Sequence, residues 1–353
     1  MSSLIEKVRF VLLISWFIVC VTPYVLILNI LHFIISPFGP EYLDILSELF
    51  GNLFGFFIVG TMDIFCPYEI IVSGKKSDFP NRLSDDSIDW ALGYIKKYDY
   101  YLKFVAKESI RKIPVFGRAL ELLDFLFLKR SWKEDQENLQ HMLDRYSATP
   151  SPKFVTIFPE GTTINPKFTK ISNEYAEAEN LKPTKHVLLP KSSGAYFILQ
   201  SLRNESLPLY SFTIGYSGLD EDSCPEYSYP IVGMFTKKVY PKRVHIFIER
   251  FNTEKDVPSS KDGFNEWLLN EFYKKDEMLS HFYKYEEFPP ISKLSQFSKI
   301  SGSKDDVSTN STVKQISSDN VSECNDSDED VNSESRNLNR HRSHHNADSV
   351  EVL

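Results

Sequence analysis

The chain has 353 residues, a formal net charge of −8, 42% hydrophobic and 25% charged residues, four cysteines and eight histidines. These averages allow roughly two to three domains and exclude a collagen-like, coiled-coil or wholly disordered chain. Mild acidity without a basic block argues against nucleic acid as the main partner. Cysteines at positions 20, 66, 224 and 324 form neither a disulfide framework nor a CxxC pair, so no cysteine-based metal site is expected.

The composition is unevenly distributed. From Phe10 to Ile35 the sequence FVLLISWFIVCVTPYVLILNILHFII has no charged residue. As a helix this run is ~39 Å long at ~1.5 Å per residue, enough to cross a ~30 Å hydrocarbon core with tilt or a kink at Pro23. A signal peptide needs a shorter apolar core and a small-residue cleavage site, and Pro37-Phe38-Gly39-Pro40 is a poor one. A second apolar stretch, Ile45 to Phe65, contains Glu48 and Asp63. Its Gly51 and Gly55 form a small-xxx-small pair suited to close helix approach. The short link Ser36–Asp44, with Pro37 and Pro40, is turn-forming. Residues 1–66 are therefore read as a membrane-embedded helical hairpin that dips into or crosses the bilayer. Lys7 and Arg9 before it, and many lysines after it, favour both ends being cytosolic.

Residues 67–290 read as a folded α/β domain. Short β-branched or aromatic runs recur at Tyr68–Ser73, Leu102–Ala106, Phe125–Leu128, Phe154–Phe158, Val187–Leu189, Leu209–Tyr216 and Val244–Glu249. Between several of them lie stretches of helical spacing: Ile88–Tyr98, Trp132–Tyr146 and Gly194–Leu202. Strands alternating with helices predict a layered α/β domain with a largely parallel sheet. Residues 291–353 are rich in Ser, Asn and Asp, lack Tyr and Trp, and are read as a disordered tail.

The run Phe154-Val-Thr-Ile-Phe158-Pro159-Glu160-Gly161-Thr162 is the most informative. A β-run delivers the chain to a proline that ends pairing, then to a carboxylate, a glycine suited to a tight turn, and a hydroxyl. Glu160 and Thr162 then stand at the sheet edge where α/β folds place ligands.

This run resembles the third sequence block of the glycerolipid acyltransferase family, eukaryotic branch, which includes fungal lysophosphatidic acid and lysocardiolipin-type enzymes. Ile113-Pro114-Val115-Phe116-Gly117, followed by Phe125-Leu-Phe127-Leu-Lys129-Arg130, resembles the second block. Leu188-Leu-Pro190-Lys191-Ser192-Ser193-Gly194 resembles the fourth. The resemblance covers about residues 67–285. It implies a membrane enzyme of the endoplasmic reticulum, with acyl-CoA as co-substrate, a lysophospholipid acceptor, and neither metal nor cofactor. It implies that Arg130 grips the substrate phosphate, as a guanidinium can with two parallel charge-assisted hydrogen bonds. It implies that Glu160, Gly161 and Thr162 shape the acceptor site, Glu160 either touching substrate or anchoring backbone, and that Pro190 shapes the wall of the acyl tunnel.

One block departs from the pattern. The family's first block is Asn-His followed by four residues and Asp, the His being the general base and the Asp its orienting partner. Here Asp89-Trp90 matches the end of the block, but Ser84 stands at the His position and Leu83 at the Asn position. Three explanations follow: another base such as Asp85 or Asp86, a retained fold that binds lipid or a protein partner without catalysis, or a coding segment missing near Arg82. His186 and His245 lie in or beside strands and are read as satisfied structural histidines.

Overall fold

The computed structural model describes residues 2–78, 102–129, 132–148, 154–202 and 208–297. The predicted helix Ile88–Tyr98 lies outside the described residues, as do Ser84, Asp89 and Arg130.

The N-terminal hairpin is formed by α1 (Ser2–Ile35) and α2 (Pro40–Phe65), both long and apolar enough to cross a membrane by length and composition. Helix α1 continues through Pro23. The two helices are joined by side chains that satisfy one another. The Trp16 indole N–H donates to Thr61 Oγ1 at 3.1 Å, and the Tyr24 hydroxyl donates to the Phe50 carbonyl at 2.8 Å. The outward faces stay apolar, with Val19, Leu26, Phe33 and Leu49 all exposed.

The domain that follows is α/β. Strand β1 (Glu69–Gly74) follows the hairpin, and β2 (Leu102–Lys107) is the centre of a three-stranded sheet. Short helices α3 (Glu108–Arg111) and α4 (Phe116–Leu122) lead from β2 to β3 (Leu126–Leu128). Helix α5 (Trp132–Ala148) leads towards β4 (Phe154–Thr156). Both β3 and β4 pair parallel to β2, as strands joined by helical crossovers must. Helices α6 (Pro166–Ala178) and α7 (Ser192–Leu202) precede β5 (Pro208–Tyr216). Two short helices, α8 (Pro225–Ser228) and α9 (Ile231–Lys237), lead to β6 (Arg243–Asn252), which is followed by α10 (Lys261–Tyr285) and α11 (Ile291–Phe297).

Among the described residues the strands form two three-stranded sheets, β3-β2-β4 and β1-β6-β5. The β1–β6 pair is parallel and the β5–β6 pair antiparallel, so parallel pairing dominates, as expected. Leu139, Leu143 and Tyr146 of α5 and Ile198 of α7 bury against Val105 and Leu126 on the first sheet. Phe264, Leu268, Phe272 and Leu279 of α10 form a second core with Val187 and Ala195.

One predicted strand is absent. Val187–Leu189 is an irregular segment bracketed by Pro183 and Pro190. A proline has no N–H to give to a ladder, and here the neighbouring amides bond to side chains.

The hairpin does not stand apart from the domain. Near Asn29 and Ser47 it buries Val25, Leu28 and Phe50 against Ala119, Leu120 and Leu123 of the α4 region, and Arg118 Nε donates to Asn29 Oδ1 at 2.9 Å. Near the chain start, Leu13 and Cys66 bury against Phe235 of α9, and Arg9 donates to the Thr236 carbonyl at 3.3 Å.

Candidate active site

Because β3, β2 and β4 run parallel, their carboxyl ends share one sheet edge. Position 130 follows the end of β3 by two residues, and the Phe158–Thr162 turn follows the end of β4. The second and third motif segments therefore follow strand ends at the same edge of the sheet, on either side of β2, where α/β folds bind ligands. The Lys129 amide donates to the buried Asp135 carboxylate at 2.7 Å, which ties the end of β3 to the first turn of α5.

The second motif builds a compressed turn. Val115 has φ 67° and ψ −53°, a γ-turn conformation costly for a β-branched residue. The Phe116 amide closes it onto the Pro114 carbonyl at 2.7 Å. Gly117 must follow, because a Cβ there would lie 2.1 Å from the Arg111 carbonyl oxygen. Gly117→Ala is expected to cost about 2 kcal/mol of stability, since backbone and not a flexible side chain would have to move; thermal melts of the two proteins in the same detergent check it.

In the third motif, Gly161 takes φ 74° and its amide donates to the Phe158 carbonyl at 3.1 Å, the tight turn expected of it. Glu160 turns inward. Its Oε2 accepts the Leu188 amide at 2.7 Å, and the Lys191 amide donates to the Pro159 carbonyl at 2.6 Å. Glu160 thus anchors backbone, the second of its two readings, and joins the third motif to the fourth. Burial pushes its carboxyl up to about 7, although the Leu188 amide and the charge of Lys275 pull the other way and Asp276 adds to the rise. Thr162 follows in the same turn, and Pro190 is buried one residue before Lys191.

The fourth-motif loop has no ladder of its own, so its amides need other acceptors. Lys182 N donates to the Tyr273 hydroxyl at 3.0 Å and Thr184 N to Asn173 Oδ1 at 3.2 Å. The Lys185 and His186 amides both donate to Asp276 Oδ1, at 2.9 and 2.6 Å, and Leu189 N donates to Ser172 Oγ at 3.0 Å. Side chains from α6 and α10 therefore hold the loop. Sequence reasoning missed Ser172, Asn173 and Asp276 because they are distant in the chain. The run Lys274-Lys275-Asp276-Glu277 also has the pattern of a solvated face, yet Lys274 and Asp276 are buried.

His186 and His245 are not the satisfied histidines expected. Among the described residues the buried Nε2 of each has no hydrogen-bond partner. Each ring instead packs on an aromatic neighbour, His186 on Tyr283 at 5.2 Å and His245 on Phe282 at 4.9 Å. Burial holds both below the ordinary histidine value, so they behave as aromatic packing groups. No group of His, Cys, Asp and Glu among the described residues is arranged to hold a metal ion.

Comparison with known proteins agrees with this arrangement. Residues 85–215 match the family model described as Acyltransferase, and residues 234–312 match Acyltransferase C-terminus. The first match begins one position after Ser84. The chain is 32% identical over 200 residues to the probable 1-acyl-sn-glycerol-3-phosphate acyltransferase 5 of Arabidopsis thaliana, covering 57% of this chain and 51% of that protein. It is 29% identical over 233 residues to the 2-acyl-1-lysophosphatidylinositol acyltransferase of Saccharomyces cerevisiae, covering 56% and 58%. It is 27% identical over 270 residues to lysocardiolipin acyltransferase 1 of Mus musculus, covering 72% and 65%. The chain thus spans about half to two thirds of the length of these relatives. A crystal structure of the acyltransferase PlsC from Thermotoga maritima aligns at TM-score 0.38 and 17% identity, covering 81% of this chain and 100% of that one. The two family models match in order over more than half of the chain, and together with these relatives they show that the chain belongs to the glycerolipid acyltransferase family.

Proposed function

We propose that the chain is a membrane-attached acyltransferase that moves an acyl group from acyl-CoA to the free hydroxyl of a phosphate-bearing lysophospholipid such as lysophosphatidic acid. The observation that carries this reading is that the second and third motifs follow strand ends at the same edge of the β3-β2-β4 sheet, on either side of β2, with Glu160 tying the third to the fourth. In the reaction the acceptor hydroxyl gives up its proton and its oxygen attacks the thioester carbonyl. A C–O bond forms, the C–S bond breaks, and CoA leaves as the thiol. Arg130 holds the acceptor phosphate, Glu160, Gly161 and Thr162 shape the acceptor site, and Pro190 belongs to the wall along the acyl chain. Ser84 is no base by itself, so this reading gives the proton to Asp85 or Asp86, and an ordinary aspartate near ~3.9 is a poor base unless burial raises it. Asp89 keeps the orienting position.

Membrane attachment belongs to the hairpin. Between Arg9 and Asn29, both in contact with the domain, α1 rises ~30 Å at ~1.5 Å per residue, the thickness of a hydrocarbon core. An upright hairpin would carry α4 and the Arg111–Glu121 ion pair into or through the lipid. A hairpin lying along the membrane plane exposes its outer apolar face to lipid and keeps those charges in water. The endoplasmic reticulum is the compartment this reading favours.

A second reading, a fold that binds lipid or a protein partner without turnover, is favoured by Ser84. Transfer of labelled acyl groups from acyl-CoA to lysophosphatidic acid by the membrane-reconstituted chain separates the two. Turnover that falls about 100-fold in Arg130→Ala supports the enzyme and its phosphate grip. Equal turnover in that variant sinks the Arg130 role. A silent wild type that gains turnover with Leu83→Asn and Ser84→His establishes the second reading.

A further inference from the structure

Helix α10 lies in the C-terminal matched segment, outside all the motif blocks. It nevertheless reaches the site loop through consecutive turns. Tyr273 accepts the Lys182 amide, Glu277 pairs with the Lys182 ammonium at 2.6 Å, and Asp276 accepts two adjacent amides through one oxygen. The Asp276 contacts differ from the others in burial and direction. The residue is 7% exposed, and the amides of Lys185 and His186 converge on Oδ1 two residues before the Leu188 amide that Glu160 holds. Two carboxylates on separate elements therefore clamp one short segment from two points. The segment then runs directly into Pro190 and the first turn of α7.

We propose that Asp276 is a positioning residue for acyl transfer: by gathering the Lys185 and His186 amides it sets where the Leu188–Lys191 stretch stands against the Pro159–Thr162 turn. The C-terminal segment is thereby a working part of the site. The inference rests on the acyltransferase reading for its effect on turnover, while the loop clamp itself is independent of it. Position is what matters in this scheme, and charge is secondary. An asparagine offers an acceptor oxygen in the same place, whereas a glutamate keeps the charge and displaces the oxygen by one methylene.

The test compares full-length wild type, Asp276→Asn and Asp276→Glu in vesicles, with lysophosphatidic acid and labelled acyl-CoA, alongside amide exchange at Lys185 and His186. Asp276→Asn is expected to keep kcat near wild type and to keep both amides protected. Asp276→Glu is expected to lose about 10-fold or more in kcat, in keeping with the cost of small displacements in a reacting site, and to exchange both amides faster at an unchanged melting temperature. Equal loss of kcat in both variants, with lowered melting temperatures, would make Asp276 merely structural and overturn the proposal. Wild-type turnover and protection in Asp276→Glu would overturn it as well. If the wild-type chain transfers no acyl group, the acyltransferase reading fails, and the exchange comparison alone upholds or overturns the clamp.

Discussion

Replacing Lys274 with alanine is expected to lower the unfolding free energy by about 3–5 kcal/mol, the cost of stripping a buried charge of its partner. The Lys274 ammonium lies 3.0 Å from Glu249 and 2.5 Å from Glu271, with side-chain exposures of 8%, 15% and 16% for the three groups. Its ammonium also sits over the Phe251 ring, 5.4 Å from the centroid. Burial works against the ammonium, yet Glu271 and Glu249 more than offset it and hold its pKa above the ordinary lysine value. One cation serves two carboxylates, and burial accordingly pushes Glu271 up despite Lys274. Without Lys274 the two carboxylates lose the cation they pair with, although the charge of Lys275 still acts on them. Lys274→Met keeps much of the stem packing and should be nearly as harmful, because the charge and not the volume is what is lost. Glu271→Gln combined with Lys274→Met should recover part of the loss, since it removes one of the stranded charges. Denaturant titration of the solubilised chain reads all three, and a loss under about 1 kcal/mol for Lys274→Ala would show that water reaches the cluster.

The second large effect is expected at Glu160. Glu160→Ala removes the acceptor of the Leu188 amide, in a residue only 3% exposed, and takes away a counter-charge of the buried Lys275. Acyl transfer should fall about 100-fold as the two motif segments separate. Glu160→Gln keeps an acceptor oxygen and should retain most of the turnover. The same pair tests the titration. The Glu160 carboxyl stands at about 7 in the fold against 4.5 as its ordinary value, so the folded state holds its proton more tightly. Its favourable contribution is full below the ordinary value and is lost as pH rises through about 7. From pH 5 to pH 8, wild type should therefore lose on the order of 2–3 kcal/mol relative to Glu160→Gln. Parallel pH profiles of the two proteins would place Glu160 in water. Lys275 is pushed below its ordinary value by burial, so its own contribution runs in the opposite sense and grows as pH rises.

Much of the molecule was legible in local patterns. The uncharged run Phe10–Ile35 becomes helix α1, and the Pro37 and Pro40 link becomes the turn into α2. Six of the seven β-branched or aromatic runs become strands within a residue or a few at each end. Pro159-Glu160-Gly161 becomes the turn that its residue types require. The exception, Val187–Leu189, shows where local pattern stops being informative. Its residues favour a strand, but a strand needs an edge to pair with, and its amides meet carboxylate and hydroxyl oxygens instead. The candidate site divides in the same way. Motif spelling singled out Arg130, which lies outside the described residues, and Glu160 and Pro190, but nothing local distinguishes a Glu160 that touches substrate from one that holds a backbone amide.

The sequence alone determined what is decided within a few residues. It set the apolar hairpin by composition, the strands by side-chain type, the turn at Gly161 by its tolerance of positive φ, and the absence of a histidine at position 84. Only the tertiary structure decided what depends on groups far apart in the chain. It laid the hairpin along the domain at both α4 and α9 and turned the Lys274–Asp276 run inward. It also brought Glu160 and Asp276 to one loop from two separate elements. The physical reason is that an amide or a charge is satisfied by whatever the fold brings within ~3 Å, and sequence distance does not enter that condition.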